Sequence, residues 1–320
     1  MGPFLLKRLL TLLATLAAAS VLIFSVLELL PGNVAQVILG DSATPESVAA
    51  LEAKLGLHRP ALERYADWIG GWLHGDSAVS TSYDAPTATL IAERLQVTLP
   101  LAVLAMTLTV VLALALGIYA ASQHRRPGDV AVMALSQLGL AVPSFWLAIV
   151  LILLFAVKLQ WFGAGGFPGW TEAEGGGLWV GLQALLLPAV ALAVVQAAVL
   201  ARWVRSSVLD VMRDDYVRTA RAKGLSRRAT LWRHVLRNAM IPVLTVMGLQ
   251  FAFLISGTVV VEQVFVLPGI GRLVFQAVAN RDLAVVRDVV MLLVAMVVLV
   301  NFVVDLLYAA IDPRLKVAQA

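Results

Sequence analysis

The sequence contains no cysteine. Disulfides, thiolate nucleophiles and cysteine-ligated metals are therefore excluded, while the compartment stays open. Charge is also scarce: 14% of the 320 residues are Asp, Glu, Lys or Arg, against roughly a quarter in a soluble domain. Histidine occurs four times, at His58, His74, His124 and His234. None lies in an apolar stretch, and their spacing matches no metal site or nucleophile arrangement, which argues against an intramembrane enzyme. No Gly-x-x-x-x-Gly-Lys-Ser/Thr run is present, so no phosphate-cradling loop is expected. The glycines of 163–169 and 175–177 lack a strand–helix setting and read as flexible connection.

What is abundant is apolar surface. Hydrophobic residues make up 60% of the chain, and the mean hydropathy is +0.88. One globule cannot hide that much, but lipid can solvate it. Crossing about 30 Å of hydrocarbon takes about 20 mostly apolar residues. Six stretches qualify: residues 9–30, 98–121, 130–157, 178–201, 242–266 and 288–310. In the first, Lys7 and Arg8 precede the apolar run, and Ala17 to Ser20 resemble a signal-cleavage site. The run continues to Leu30, too far for a signal peptide, so an uncleaved anchor is expected.

Basic residues are distributed unevenly among the connections. With the N-terminus inside, the cytoplasmic pieces 1–8, 122–129, 202–241 and 311–320 hold most of the 24 Lys and Arg residues, including Arg125, Arg126, Arg314 and Lys316. The sequence therefore predicts an all-α polytopic membrane protein with six transmembrane helices and both termini in the cytoplasm. The expected divisions are 1–30 (N-terminus and first span), 31–97 (an external helical segment), 98–310 (a five-span core) and 311–320 (a tail). In the external segment, a helix is predicted over 45–55, with Thr44 as its N-cap and Gly56 as its stop. Trp68, Ile69, Trp72 and Leu73 suggest a second short helix anchored at the membrane surface.

The connection 202–241 is dense in arginine and opposed only by Asp210, Asp214 and Asp215. Asp215 is expected to cap a helix from Tyr216, with Lys223 and Gly224 ending it. Ser226 is expected to cap a second helix reaching Asn238, and Pro242 to sit in the first turn of the fifth span. A positively charged anchor on anionic lipid would explain the arginines alone. The interleaved Leu225, Leu231, Trp232, Val235 and Leu236 add an apolar face suited to a groove on another protein.

Tyr216 to Val243, YVRTARAKGLSRRATLWRHVLRNAMIPV, resembles the cytoplasmic loop of binding-protein-dependent ABC importer permeases. The strongest likeness is to the first membrane subunit of the dipeptide, oligopeptide and nickel type. Where that superfamily carries Glu-Ala-Ala before its glycine, this chain has Arg218-Thr219-Ala220. Where the superfamily carries Leu-Pro, the chain has Leu236-Arg237. Only Ala220, Gly224 and Leu236 match, a departure usual in the peptide-type first subunit. Pro31-Gly32, His74-Gly75-Asp76, Ala141 to Trp146, Val264 to Gly271, Arg281-Asp282 and the stretch from Asp305 to Arg314 resemble further family signatures. Their order carries the likeness along nearly the whole chain.

The resemblance implies a type I ABC importer permease architecture. It also implies partners: a second homologous permease, two cytoplasmic ATPases that bind ATP and Mg, an external substrate-binding protein and the lipid bilayer. No cofactor is expected in this chain itself. Ala220, Arg221, Lys223, Gly224, Leu225 and Leu236 would form the ATPase-coupling loop. Within the spans, Gln137, Gln196, Gln250, Asn301 and Asp305 are candidates for the pathway or for interhelical hydrogen bonds. Glu28 and Glu262 are expected near span ends, reaching water, and Pro143 and Pro188 to kink their spans. The rival class is an ion-coupled carrier or channel, which ordinarily shows intramembrane acids or inverted repeats. Nucleic acid is an unneeded partner, since the basic loop is tethered at the membrane. Short peptides are the expected cargo.

Overall fold

The computed structural model describes residues 2–29, 34–54 and 56–311. The signatures Pro31-Gly32 and Asp312-Pro313-Arg314, and the tail beyond 311, lie outside these. Helices follow one another throughout: α1 (Gly2–Glu28), α2 (Val34–Leu39), α3 (Pro45–Lys54), α4 (Ala61–His74), α5 (Thr87–Ser122), α6 (Pro127–Ala141), α7 (Ser144–Leu151), α8 (Leu178–Val211), α9 (Asp215–Ala222), α10 (Arg227–Thr230), α11 (Leu236–Val264), α12 (Ile270–Ala279) and α13 (Leu283–Ile311). Among the described residues the only β pairing is an isolated bridge, Val79 to Pro86.

Among the described residues, five helices are long and apolar enough to cross a membrane, and a bent pair makes up to six. The bent pair breaks the expected third span at Pro143, the residue expected to kink it. α6 and the helical stretch from Ser144 to Lys158 meet at 99°. Pro143 drives Val142 into an extended conformation (φ −90°, ψ 119°), because its ring clashes with a helical predecessor. The fifth span is corrected. The helical stretch runs unbroken over Arg227–Val264, through a wide turn at Leu231–Val235, and Pro242 lies inside it. Val235, Leu236, Ala239 and Val243, buried on both sides of the proline in one cluster, hold the helix through the missing backbone bond.

Contacts divide the chain into two compact units. The first comprises Met1–Leu6, Leu99–Leu267 and Leu299–Ala320; the second comprises Lys7–Thr98 and Pro268–Val298. In the first unit α8 is the central element, with Leu185, Leu192, Leu200, Val204 and Val208 all buried. Small residues let its neighbours approach, as in other membrane helix packings. A Cβ on Gly117 of α5 would stand 2.6 Å from Val204 Cβ and 2.7 Å from the Ala201 carbonyl oxygen of α8. Gly117→Ala is therefore expected to force these helices apart at a cost of about 1–3 kcal/mol. The measurable result is earlier thermal aggregation of the purified chain.

The glycine stretches 163–169 and 175–177, expected to be flexible connection, instead lie in a folded loop. Gly166 N–H donates to the Phe265 carbonyl at 2.8 Å, and Gly165 packs so close that a Cβ would meet the same oxygen at 2.4 Å. Thr171 and Glu174 form a reciprocal capping box. Backbone and hydroxyl donors of Thr171 hold the Glu174 carboxyl below its ordinary range.

In the second unit, α3 begins as expected. Thr44 Oγ1 accepts the Ser47 N–H at 3.2 Å, and Gly56 turns the chain at φ +65°. Trp68 departs from the surface-anchor expectation, while Trp72 and Leu73 stay exposed. Trp68 is buried, 5% exposed, and its indole N–H donates to Asp288 Oδ1 at 2.7 Å. Trp72 donates to the same oxygen at 3.1 Å, and Thr87 Oγ1 donates to Oδ2. An indole buried this way needs an acceptor, and the head of α13 supplies one. Asp282 likewise accepts the Ser80 hydroxyl and the Ser82 N–H at 3.1 Å. Of the two acids expected to reach water, Glu28 pairs with Arg64. Glu262, in the first unit, is wholly buried instead.

Candidate coupling site

The arginine-rich connection lies within the first unit. α8 ends at Val211, and Asp214 turns extended (φ −64°, ψ 145°) before α9. The helix starts one residue earlier than expected: Asp215 lies in its first turn rather than at the cap, and no side chain caps it. Asp215 Oδ1 pairs with Arg218 at 3.4 Å. At the far end, Gly224 N–H donates to Arg221 O (3.0 Å) and Leu225 N–H to Ala220 O (3.3 Å). This pair of bonds closes a helix through a left-handed residue, and Gly224 supplies φ +89°. Ser226 then caps the next helix, its Oγ accepting Ala229 N–H at 3.2 Å.

The six residues expected to couple divide into two roles. Ala220 and Leu236 face inward and are each 8% exposed; Leu236 packs with Val217, Val235 and Val208. Arg221, Lys223 and Gly224 face outward, and Leu225 is half-buried. The inner pair braces the corner and the outer residues form its surface. Asn238 Nδ2 adds a tie by donating to the Tyr216 hydroxyl at 2.8 Å. Two aromatics on this loop are exposed: Trp232 (59%), expected on the apolar docking face, and Tyr216 (41%), which was not among the six coupling residues. Their neighbours Arg218, Arg221, Arg228 and Arg233 are exposed as well.

A second feature escaped the sequence reading. Asp129, at the head of α6, is 3% exposed. Arg205 of α8 grips both its oxygens, Nε to Oδ1 at 2.5 Å and Nη2 to Oδ2 at 2.6 Å. His124 Nδ1 lies 3.2 Å from the same guanidinium, and the Arg125 N–H donates to Asp129 at 3.0 Å. This fork clamps the 123–126 turn and α6 to α8, near where α8 leads into the glycine corner. Arg205 counts in the sequence only as one more basic residue of the connection.

The polar span residues are placed individually. Gln250 Nε2 donates to Gln196 Oε1 (3.0 Å) and to the Gln196 backbone (3.3 Å), tying α11 to α8. Asn301 packs on Gly248, its Oδ1 3.0 Å from where a Cβ would be. Asp305 is half-buried and Gln137 is exposed on α6. The structure joins Gln196 and Gln250 but brings the five into no single cluster.

Residues 113–317 match the family described as binding-protein-dependent transport system inner membrane component, and residues 1–113 match its N-terminal region. The chain belongs to this family. It is an ABC importer permease, a multi-pass protein of the bacterial inner membrane. A Brucella abortus (strain 2308) protein, provisionally named a peptide transport system permease, is 42% identical over 99% of both chains. The glutathione transport system permease protein of Escherichia coli (strain K12) is 39% identical over 98% of both. Among solved structures, the inward-facing MetNI methionine ABC transporter aligns with a TM-score of 0.58 at 18% identity, covering 70% of this permease and 96% of that chain. This last likeness concerns the fold.

Proposed function

We propose that this permease forms half of the translocation path of an importer for short peptides, and that the Gly224 corner seats it on a cytoplasmic ATPase. The observation that carries the reading is the two-faced corner. Val217, Ala220, Val235 and Leu236 fix it from behind, while Arg221, Lys223 and Gly224 stay exposed. A short element braced in this way moves as one body with α8 and α11, which is what a lever between an ATPase and a membrane path requires. In this reading both termini lie in the cytoplasm. ATP and Mg are held by two separate ATPases, where hydrolysis takes place. A second homologous permease completes the path, and an external binding protein delivers cargo. The peptide class is supported by relatives named for peptide and glutathione transport.

Gentle purification from native membranes is expected to recover a second permease and ATPases, identified by mass spectrometry. Orientation is open to a direct test, since the chain has no cysteine of its own. Arg228→Cys is expected to react with an impermeant thiol reagent only from the cytoplasmic side, and Arg59→Cys only from outside. If the isolated chain moved solute in liposomes without an ATPase, a carrier or channel would replace this reading.

A further inference from the structure

The second unit encloses a cavity of about 600 Å³, within the range of small-ligand pockets. Phe24, Leu27 and Trp72 give it apolar wall, and both signs of charge line it. Part of that charge is matched internally: Arg59 pairs with Asp67 and Arg64 with Glu28. Among the described residues no ion pair joins Lys54, Arg281, Asp76 or Asp84, all of which line the cavity.

Arg287 is the most telling of the lining cations. Its guanidinium lies 4.7 Å over the Trp68 ring, and its side chain is 19% exposed. The neighbouring Asp288 cannot satisfy it. Asp288 Oδ1 already accepts two indole N–H groups and Oδ2 accepts Thr87, so Arg287 Nε stays at 3.8 Å and makes no hydrogen bond. The Arg287 side chain nonetheless lines the cavity and is 19% exposed, and a carboxylate is the group that best matches a guanidinium fork.

We propose that this cavity is a receiving site for a short zwitterionic peptide. Arg287 and Arg281 take its C-terminal carboxylate, Asp76 and Asp84 its N-terminal ammonium, and Trp72 packs on a side chain. The inference rests on the peptide reading above and adds a binding station within this permease, separate from the external binding protein. The unmatched charges of both signs favour a small dipolar ligand over an acidic protein loop, which would leave Asp76 and Asp84 opposed. The volume suits two or three residues.

The test uses the complete complex in nanodiscs without its external binding protein, and measures equilibrium binding of Ala-Phe, Ala-Phe amide and N-acetyl-Ala-Phe. Ala-Phe is expected to bind, and each blocked form to bind at least about tenfold more weakly. Arg287→Gln should cause a loss similar to amidation. Arg281→Gln, at an exposed turn, provides the same reading without disturbing the Trp68 packing. Asp76→Asn is expected to narrow the gap between Ala-Phe and its N-acetyl form. Equal affinity for the amide, or binding undiminished in both arginine variants, overturns the proposal. If a complex with ATPases assembles and hydrolyses ATP but binds no Ala-Phe, this inference falls while the importer reading stands. If Ala-Phe binds with the expected losses but the native-membrane purification recovers no ATPase, the ATPase-coupling reading falls instead.

Discussion

Gly224→Val is expected to uncouple the importer: peptide-stimulated ATP hydrolysis in the reconstituted complex falls by about tenfold or more, with transport falling in parallel. The effect is purely conformational. A Cβ on Gly224 meets nothing within 4 Å, but φ is +89°. The left-handed region costs an L-residue roughly 1–2 kcal/mol, and more for a β-branched one. Each 1.4 kcal/mol is a factor of ten in the population of the native corner. The order of damage should be Val, then Ala, then Asn, since asparagine tolerates this region best. Because no packing is lost, the melting temperature should drop by no more than that strain. Wild-type hydrolysis and transport in Gly224→Val would remove the corner from the coupling assignment. A collapse of stability in Gly224→Ala would mean that the glycine is needed for packing instead.

The second large effect is expected at the Asp129–Arg205 fork. Arg205→Ala leaves a carboxylate that is 4% exposed at its side chain without its guanidinium. Removing one partner of such a pair costs about 3–5 kcal/mol, enough to lower the melting temperature by on the order of 10 °C. Replacing both partners with neutral isosteres, Asp129→Asn with Arg205→Gln, should be milder than Arg205→Ala, because no charge is left stranded. Arg205→Lys should fall between, since an ammonium cannot bridge both oxygens. Thermal unfolding of the detergent-solubilised chain, followed by tryptophan fluorescence, checks the series. A double variant as unstable as Arg205→Ala would show that the site matters for shape rather than charge. The fork holds α6 to α8, so its loss should also weaken coupling, though by less than the corner itself.

The features legible in the sequence are those whose causes lie within a few residues. Thr44, Ser226, Gly56 and Gly224 act on backbone groups two to five positions away, and the structure finds each where its chemistry placed it. The apolar runs were readable for the same reason, since length and composition decide whether a helix suits lipid. Local chemistry no longer decides where a partner distant in the chain intervenes. Trp68 looked like an interfacial anchor, yet its N–H is bound by Asp288, 220 positions away. Arg205 looked like one more positive charge, yet Asp129, 76 positions away, claims it. Pro242 looked like a helix start because proline suits a first turn. Burial of Val235 and Val243 in one cluster carried the helix through it.

By itself, then, the sequence determined an all-helical chain for the bilayer, its apolar spans and the local geometry of the basic corner. Only the tertiary structure decided which face of that corner is buried, that the fifth-span helix runs through Pro242, and which charges close on one another. It alone brought Arg287 and Arg281 to one cavity with Asp76 and Asp84. The physical reason is range. Caps, turns and hydropathy are settled by neighbouring atoms, whereas a buried carboxylate takes whatever donor the packing brings to it, and packing joins residues that sequence distance keeps apart.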